Sequence, residues 1–459
     1  GFFGGWIALG CAMLLALSPG SVAAQAEPQA ADSLEREVAR LQARLDSLGR
    51  VVADLREAED TAGAEEEEDP LTRLRAAAAE AAGGGAATGA EEEDEDEPQE
   101  FVGRQRSLQA LNPEISINAD VFGRLNTDDV GENNFIPREA EFSFQASLDP
   151  YSRAKFFVAH HQPGGEIEPF EGLPGGHGEA EGGQGGEFAI EEGYVEWVGL
   201  PGGLSVKLGK FFQRFGTLNR WHNHALWFQS RSLPHLAFIG EESLAQSGAS
   251  LHWLVPVDVG GTYETWFQIT RSENEGLFGE SDQPSYLGHV NAFWQLSESL
   301  DLDLGVSGLF GEHAEGVLQP FGQRLYNVEG TVTWRPPGRA LYREFVLRGG
   351  AMLLDPEVPA APPPGEEVEF ADDAWGGWAW ANFKFARQWW MGGRFEWTQN
   401  PTASDETAWL AGPTLTWWQS EWVRLRAEYD FLQREGTRVL SQLLLQVTFA
   451  VGPHKHETY

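Results

Sequence analysis

Cysteine and basic residues are scarce in this sequence. Its 459 residues include one cysteine, Cys11, so the chain can form neither an internal disulfide nor a thiolate metal cluster. Only 32 lysines and arginines stand against 70 acidic residues, giving a formal net charge of -38. Because phosphate binding needs a basic surface, this balance argues against nucleic acid, and we expect no DNA or RNA partner. Methionine is also rare, with 3 residues, whereas 54 glycines, 18 tryptophans and 28 phenylalanines indicate many short strands with aromatic anchors.

Residues 1–26 have the pattern of a secretory signal peptide. An apolar run from Trp6 to Leu17 precedes small residues that end in Ala24-Gln25-Ala26. The run is too short for a membrane span and fits a signal sequence with its cleavage site. The initiator methionine and the basic first region are missing, so we expect the sequence to be truncated at its start. Lipid attachment to Cys11 is the alternative, although this residue lies inside the apolar run.

Residues 31–57 and 58–107 differ sharply in pattern. In the first segment, apolar residues recur at spacings of four and three, at Leu34, Val38, Leu41, Leu45, Leu48, Val52 and Leu55. This spacing predicts a short oligomerising coiled coil, with a lone amphipathic helix as the alternative. The second segment contains "EEEED", "AAAAEAAGGGAATGA" and "EEEDEDE". Such stretches cannot bury a core, so we predict an acidic, disordered linker.

Residues 108–459 alternate between apolar and polar side chains. In "REAEFSFQASLDP", Ala140, Phe142 and Phe144 alternate with Glu141 and Ser143. This period predicts about sixteen strands of roughly ten residues, the length of a tilted membrane strand. The predicted strands lie near residues 114, 138, 153, 188, 203, 247, 261, 286, 300, 323, 343, 374, 389, 407, 422 and 440.

The connections between these strands alternate between short turns and long polar loops. This alternation predicts an all-β fold, a transmembrane antiparallel barrel of the outer membrane, rather than a soluble β protein. The even strand number would place both chain ends and the coiled coil in the periplasm. Tryptophans near strand ends predict aromatic girdles at the membrane surfaces. These tryptophans are Trp375, Trp378, Trp380, Trp389, Trp390, Trp417, Trp418 and Trp422.

The segments "LNPEISINADVFG", "REAEFSFQASLDPYSRAKFFVA" and "LPGGLSVKLGKFFQRFGTLN" resemble a family of bacterial outer-membrane porins. Its members are called phosphate-selective porin O/P-like, or zinc-regulated TonB-dependent outer-membrane receptor. The resemblance runs from about residue 108 to the end of the chain. It implies a porin fold and identifies the terminal aromatic residue, Tyr459, as part of the signal read by the barrel insertion machinery.

The two family labels imply different mechanisms. A TonB-dependent receptor needs a larger barrel of about 22 strands and a folded plug, and no segment before the first predicted strand is long or apolar enough to form one. Phosphate selectivity in the porins rests on a basic pore, whereas the barrel region here remains acidic. An acidic barrel favours cations or neutral solutes.

The stretch "WHNHALW" lies in the third long loop of the strand map. In porins of this architecture the third loop folds into the lumen, so the sequence predicts a pore constriction there. Its predicted residues are Arg214, Arg220, His222, His224, Arg231, Glu241 and Glu242. The arginines would oppose the glutamates and set a transverse field.

His222 and His224 are also candidate metal ligands, since imidazole and carboxylate groups suit zinc. Spacing fixes no third ligand, so a polar pore lining and simple loop packing remain alternatives. An enzyme is disfavoured because no nucleophile motif frames the serines that follow. The sequence therefore predicts a porin through which small hydrophilic solutes or ions diffuse. We expect this porin to be a homotrimer in outer-membrane lipid. A receptor for a metal ion or metal complex and a structural barrel tethered to the cell wall are the alternatives.

Overall fold

The alternating segments form a closed antiparallel barrel in the computed structural model. The chain divides into two units, Gly1–Glu100 and Phe101–Tyr459, and all described residues belong to the second. The structure describes residues 113–126, 134–161, 167–170, 173, 187–241, 243–257, 259–279, 281–314, 320–357 and 373–452. The predicted signal peptide, coiled coil and linker, and Tyr459, lie outside these residues and stay predictions.

Each strand pairs with its neighbours in sequence, and β1 pairs with β16 to close the barrel. Ile117 lies opposite Val451, and Asn126 lies opposite Gln442, so the sheet has no free edge. The prediction of sixteen strands is confirmed. The strands are β1 (Glu114–Asn126), β2 (Phe135–Ser147), β3 (Ser152–His161), β4 (Glu187–Leu200), β5 (Leu204–Phe212), β6 (Ala245–Leu254), β7 (Thr262–Arg271), β8 (Pro284–Ser297), β9 (Leu300–His313), β10 (Phe321–Trp334), β11 (Glu344–Pro356), β12 (Ala374–Ala386), β13 (Trp389–Gln399), β14 (Thr407–Trp418), β15 (Val423–Arg434) and β16 (Leu440–Val451).

The two faces of the wall follow from the period-two alternation of side chains along a strand. In β1, Ser116 and Asn118 are buried inside, whereas Ile115 on the outer face is 52% exposed. In β16, Gln446 is buried inside, and Leu445 on the outer face is 53% exposed. An apolar outer face and a polar inner face are what a membrane barrel requires.

The shortest and the longest connections lie on opposite rims. Residues 148–151, 201–203, 298–299, 387–388 and 419–422 form short turns on the rim where β1 begins and β16 ends. Gly203 adopts φ +81° in one of these turns, and a Cβ atom there would lie 2.5 Å from the carbonyl oxygen of Leu254. The three longest connections, 162–186, 213–244 and 357–373, lie on the other rim. No helix within the described residues is long and apolar enough to span a membrane.

The tryptophans divide between the two faces of the wall. Trp389 and Trp417 stack with ring centroids 5.8 Å apart, and both keep part of their surface exposed outside the barrel. Trp378 and Trp380 of β12 are instead buried inside, with 4% and 0% exposure. Their predicted place in the girdle is wrong, because they lie an odd number of residues from the outward-facing Trp375 and therefore point inward.

Candidate functional site

Residues 213–244, named loop three here, connect β5 to β6 and fold into the barrel interior. The segment forms two 3₁₀ turns, Leu218–Arg220 and Asn223–Ala225, and the short helix α1, Leu233–Phe238. Pro234 lies within the first turn of α1, where its missing N–H needs no partner. Almost every side chain of α1 and of the two turns is buried, because barrel wall surrounds the segment.

Loop three bonds to strands on different sides of the barrel. The hydroxyl of Thr217 donates to Glu329 Oε1 of β10 at 2.6 Å. The backbone N–H of Gln229 donates to Glu428 Oε2 of β15 at 2.9 Å, and Arg138 of β2 donates to the carbonyl oxygen of Gln229. Because β2, β10 and β15 are separated around the closed sheet, these bonds require loop three to cross the interior.

Aromatic packing fixes the middle of loop three against β12. Phe228 lies edge-on to Trp380, with ring centroids 4.9 Å apart, and Trp378 lies 5.2 Å from Trp380. The indole of Trp380 donates to Glu396 Oε1 at 2.7 Å, which satisfies its buried N–H group. The middle of loop three therefore packs against the apolar part of the inner wall.

A larger apolar cluster surrounds α1 and a second short helix, α2 (Glu275–Phe278), which lies in the β7–β8 connection. Its members come from these helices, from other parts of loop three, from the β3–β4 connection and from the inner faces of β8 to β12, β14 and β15. Among them are Leu233, Leu236, Phe238, Leu277, Phe278, Leu287, Leu309, Leu325, Met352, Leu354, Leu410 and Leu432. At roughly 25 cal/mol per Å² of buried apolar surface, this cluster is a main stabilising contribution to the position of loop three.

Two arginines of β15 donate hydrogen bonds to the backbone of loop three. Arg424 donates to the carbonyl oxygens of His224 and Leu226 at 2.5 and 3.1 Å. Arg426 donates to the same Leu226 carbonyl oxygen at 2.8 Å. Carbonyl groups of irregular buried backbone need such donors, because no regular ladder satisfies them. The guanidinium groups thus replace the water that an exposed loop would bind.

Arg394 of β13 is the centre of a buried ion cluster beside loop three. One of its Nη atoms lies 2.8 Å from carboxylate oxygens of both Glu428 and Asp430, and the other lies 3.6 Å from Glu396. The second Nη group also donates to the Ser230 hydroxyl of loop three at 2.9 Å. The cluster compensates charges that are almost completely removed from solvent.

His222 faces three glutamates of the barrel wall. Its Nδ1 lies 2.7 Å from Glu141 Oε2 of β2 and 3.0 Å from Glu191 Oε2 of β4. Its Nε2 lies 3.6 Å from Glu192 Oε2. Burial alone lowers the pKa of His222, but the nearby carboxylates outweigh burial and raise this pKa well above its ordinary value.

His224 lies beside His222 and meets the same wall of β2. Its Nδ1 lies 3.0 Å from Glu139 Oε1 and 3.9 Å from Glu141 Oε2. The two imidazole rings stack with centroids 5.6 Å apart. Burial lowers the pKa of His224, yet Glu141 and Glu139 together raise it above its ordinary value. The two histidines and their glutamates form one compact group of nitrogen and oxygen ligands.

The three arginines predicted for the constriction occupy different surroundings. Arg214 lies over the ring of Trp266, with its guanidinium carbon 4.6 Å from the ring centroid, and both Arg214 and Arg220 are half-buried. Arg231 is buried and donates to the carbonyl oxygen of Trp221 at 2.6 Å and to that of Leu218. Arg231 therefore stabilises the folded shape of loop three itself.

The acidic residues predicted for the site differ from those that meet the histidines. Glu241 is half-buried at the end of loop three, and Glu242 lies outside the described residues. The structure instead brings four wall glutamates to the histidines, namely Glu139, Glu141, Glu191 and Glu192. The sequence does indicate that Glu139 and Glu141 face the lumen, because they occupy the polar face of the alternating strand β2. No local pattern in the sequence indicates that loop three reaches that strand.

Sequence comparison shows a likeness over part of the chain. No family model matches the chain. An uncharacterized protein of Aquifex aeolicus (strain VF5) is 38% identical over 90 residues, and the match covers 20% of this chain and 19% of that protein. The chain thus matches about a fifth of that relative's length.

The chain is also similar to solved structures of other proteins. Pseudomonas putida OprB has a TM-score of 0.51 at 11% identity, covering 76% of this chain and 96% of OprB. An anion-selective porin from Comamonas acidovorans has a TM-score of 0.49 at 10% identity, covering 73% of this chain and 98% of that porin. The likeness to OprB shows that the chain has the fold of an outer-membrane β-barrel.

Proposed function

We propose that this protein is an outer-membrane porin through which small hydrophilic solutes or ions diffuse passively. The observation that carries the proposal is loop three, which crosses the interior of a closed barrel that is polar inside and apolar outside. A water-filled lumen narrowed by an inward loop filters solutes by size and charge and needs no chemical step.

The distribution of solvent-exposed charge suggests where the path runs. Lys207, Arg214, Arg220, Glu264 and Asp303 belong to loop three or to β5, β7 and β9, and all are half-buried. The charged groups of β13 and β15 that contact loop three are instead almost fully buried. We infer that solutes pass beside β5 to β9, where side chains of both signs meet water.

The charge of the chain favours cations in this path. From residue 101 to the end of the sequence, 25 basic residues stand against 47 acidic residues, and this formal net charge of -22 raises the local cation concentration at the barrel. Arg214 and Arg220 face Glu264 and Asp303 across the path and set a transverse field there, while the acidic excess of the whole barrel region provides the cation preference. β1 begins and β16 ends at the short-turn rim, which we assign to the periplasm. We also propose that the protein is a homotrimer inserted by the barrel insertion machinery.

Single-channel recording from the refolded protein in a planar bilayer tests the proposal. We expect steady open steps and a reversal potential of cation-selective sign in a salt gradient. Protein kept unfolded until it is added to the bilayer serves as the control. If verified folded barrels gave no steps, the lumen would be occluded, and a receptor or a tethered structural barrel would replace the porin.

A further inference from the structure

The group formed by His222, His224, Glu139, Glu141 and Glu191, named the histidine–glutamate cluster here, has the composition of a metal site. Its potential ligand atoms fall into two sets that share Glu141. One set is Glu139, Glu141 and His224, and the other is Glu141, Glu191 and His222. Within each set, the ligand atoms lie within 4.8 Å of one another. Two loop-three residues and two wall strands thus present ligand atoms on either side of Glu141, which both sets share.

A second observation points to a cation at this place. Glu139 is 3% exposed, and its Oε2 has no hydrogen-bond partner among the described residues. A buried carboxylate oxygen without a donor is costly, because the ionised group has lost its water. A cation that contacted Glu139 would remove this cost.

The charge balance of the cluster points the same way. Glu192 adds a fourth carboxylate, 3.6 Å from His222. Arg138, the basic residue next to Glu139 in sequence, is paired with Asp120. His161 also contacts Glu191, at 3.1 Å, so protonation of all three imidazoles would supply at most three positive charges against four carboxylates. Buried charges left uncompensated destabilise a protein strongly, so a divalent cation would be accommodated well.

The ligand types select the class of metal. Imidazole nitrogen suits zinc and neighbouring divalent transition metals, whereas magnesium and calcium prefer sites made of oxygen alone. We propose that the histidine–glutamate cluster binds a divalent transition-metal ion, with zinc as the reference ion, and that this ion fastens loop three to β2 and β4. This proposal goes beyond porin function and does not depend on it.

Zinc binding by the full-length barrel in detergent tests the proposal. The refolded protein is stripped with a chelator, and zinc binding is then measured by competition with a chromophoric indicator in excess Mg²⁺. We expect at least one tight zinc ion per chain. In the His222→Ala, His224→Ala double variant, we expect affinity to fall by about 100-fold or more, because even outer-shell changes alter metal affinity by 10–100-fold.

Control variants separate this site from other histidines. His252 of β6 pairs with Glu264 at 3.0 Å outside the cluster, so His252→Ala should leave zinc affinity unchanged. A His454→Ala, His456→Ala variant removes the histidines of the C-terminal "PHKHETY" and should also bind normally. Heat-dependent electrophoretic mobility verifies that every variant is folded.

A milder variant guards against loss of folding in the double mutant. Glu139→Gln keeps the shape of the side chain but removes its charge, so it should weaken zinc binding while the barrel stays folded. The absorption spectrum of added Co²⁺ gives an independent test. Binding to the cluster ligands should change this spectrum in the wild-type protein, whereas the double variant should leave the spectrum of Co²⁺ unchanged. Equal zinc affinity in wild type, Glu139→Gln and the double variant would overturn the proposal. Because zinc is measured without a membrane, a failure here is distinct from an absence of channel conductance.

Discussion

At the scale of single residues, the ion cluster around Arg394 is the clearest source of stability inside the barrel. Arg394 contacts Glu428 and Asp430 at 2.8 Å while its own side chain has 0% exposure. A buried pair contributes little compared with an apolar replacement, but loss of one partner leaves an uncompensated charge. Arg394 therefore stabilises the barrel mainly because it neutralises the buried carboxylates around it, and less through the net energy of its own hydrogen bonds.

We predict that Arg394→Met destabilises the folded barrel by about 3–5 kcal/mol, because three acidic side chains lose their central cation. Urea unfolding in the presence of lipid vesicles measures the change in free energy of unfolding. Arg153→Met is the matched control, since Arg153 is 51% exposed and pairs with Glu196 at the surface. That change should lower the free energy by only about 0–1 kcal/mol. Equal effects of the two substitutions would contradict the prediction.

At the scale of structural elements, loop three is an irregular segment held by donors on the barrel wall. Arg424 and Arg426 both donate to the Leu226 carbonyl oxygen, and Arg424 also bonds to Thr448 of β16 at 3.2 Å. Each hydrogen bond to a charged donor contributes roughly 1.5–3 kcal/mol. The position of loop three in the lumen thus depends on strand residues far away in sequence.

We predict that the Arg424→Gln, Arg426→Gln double variant raises single-channel conductance and adds current fluctuations. The physical reason is that loop three loses charged donors worth roughly 1.5–3 kcal/mol each and moves more freely in the lumen. Planar bilayer recording, with folding checked by electrophoretic mobility, measures both effects. Lys384→Gln removes a positive charge that contacts Trp390 of the wall, 5.4 Å from its ring centroid, and should leave the fluctuations unchanged. Smooth, wild-type conductance in the double variant would show that these arginines do not hold loop three.

At the scale of the whole molecule, the strands could be predicted because their signals are local. The alternation in "REAEFSFQASLDP" depends on neighbouring residues only, and it places β2 correctly. The girdle prediction is wrong for Trp378 and Trp380, since clustering near a strand end does not reveal which face a side chain occupies. Counting positions from Trp375 would have shown the inward face.

The partners of loop three could not be predicted in the same way. His224 and Glu139 are 85 residues apart, and Gln229 and Glu428 are 199 apart. No local pattern connects such pairs, because they meet only after the sheet has closed. The sequence identified the histidines as a candidate site, but the wall glutamates emerged only from the three-dimensional arrangement.

The outer surface of the barrel carries the last prediction, which concerns its membrane environment. Leu445 lies near the middle of β16 and is 53% exposed, whereas Val451 lies at the end of the strand and is 61% exposed. In a bilayer, Leu445→Arg should lower the free energy of unfolding by about 2–4 kcal/mol and Val451→Arg by about 0–1 kcal/mol. The difference arises because an arginine at mid-depth is surrounded by hydrocarbon, while one at the rim reaches the headgroups. Unfolding titrations in lipid vesicles measure both values, and equal small losses at the two positions would place the outer face in water.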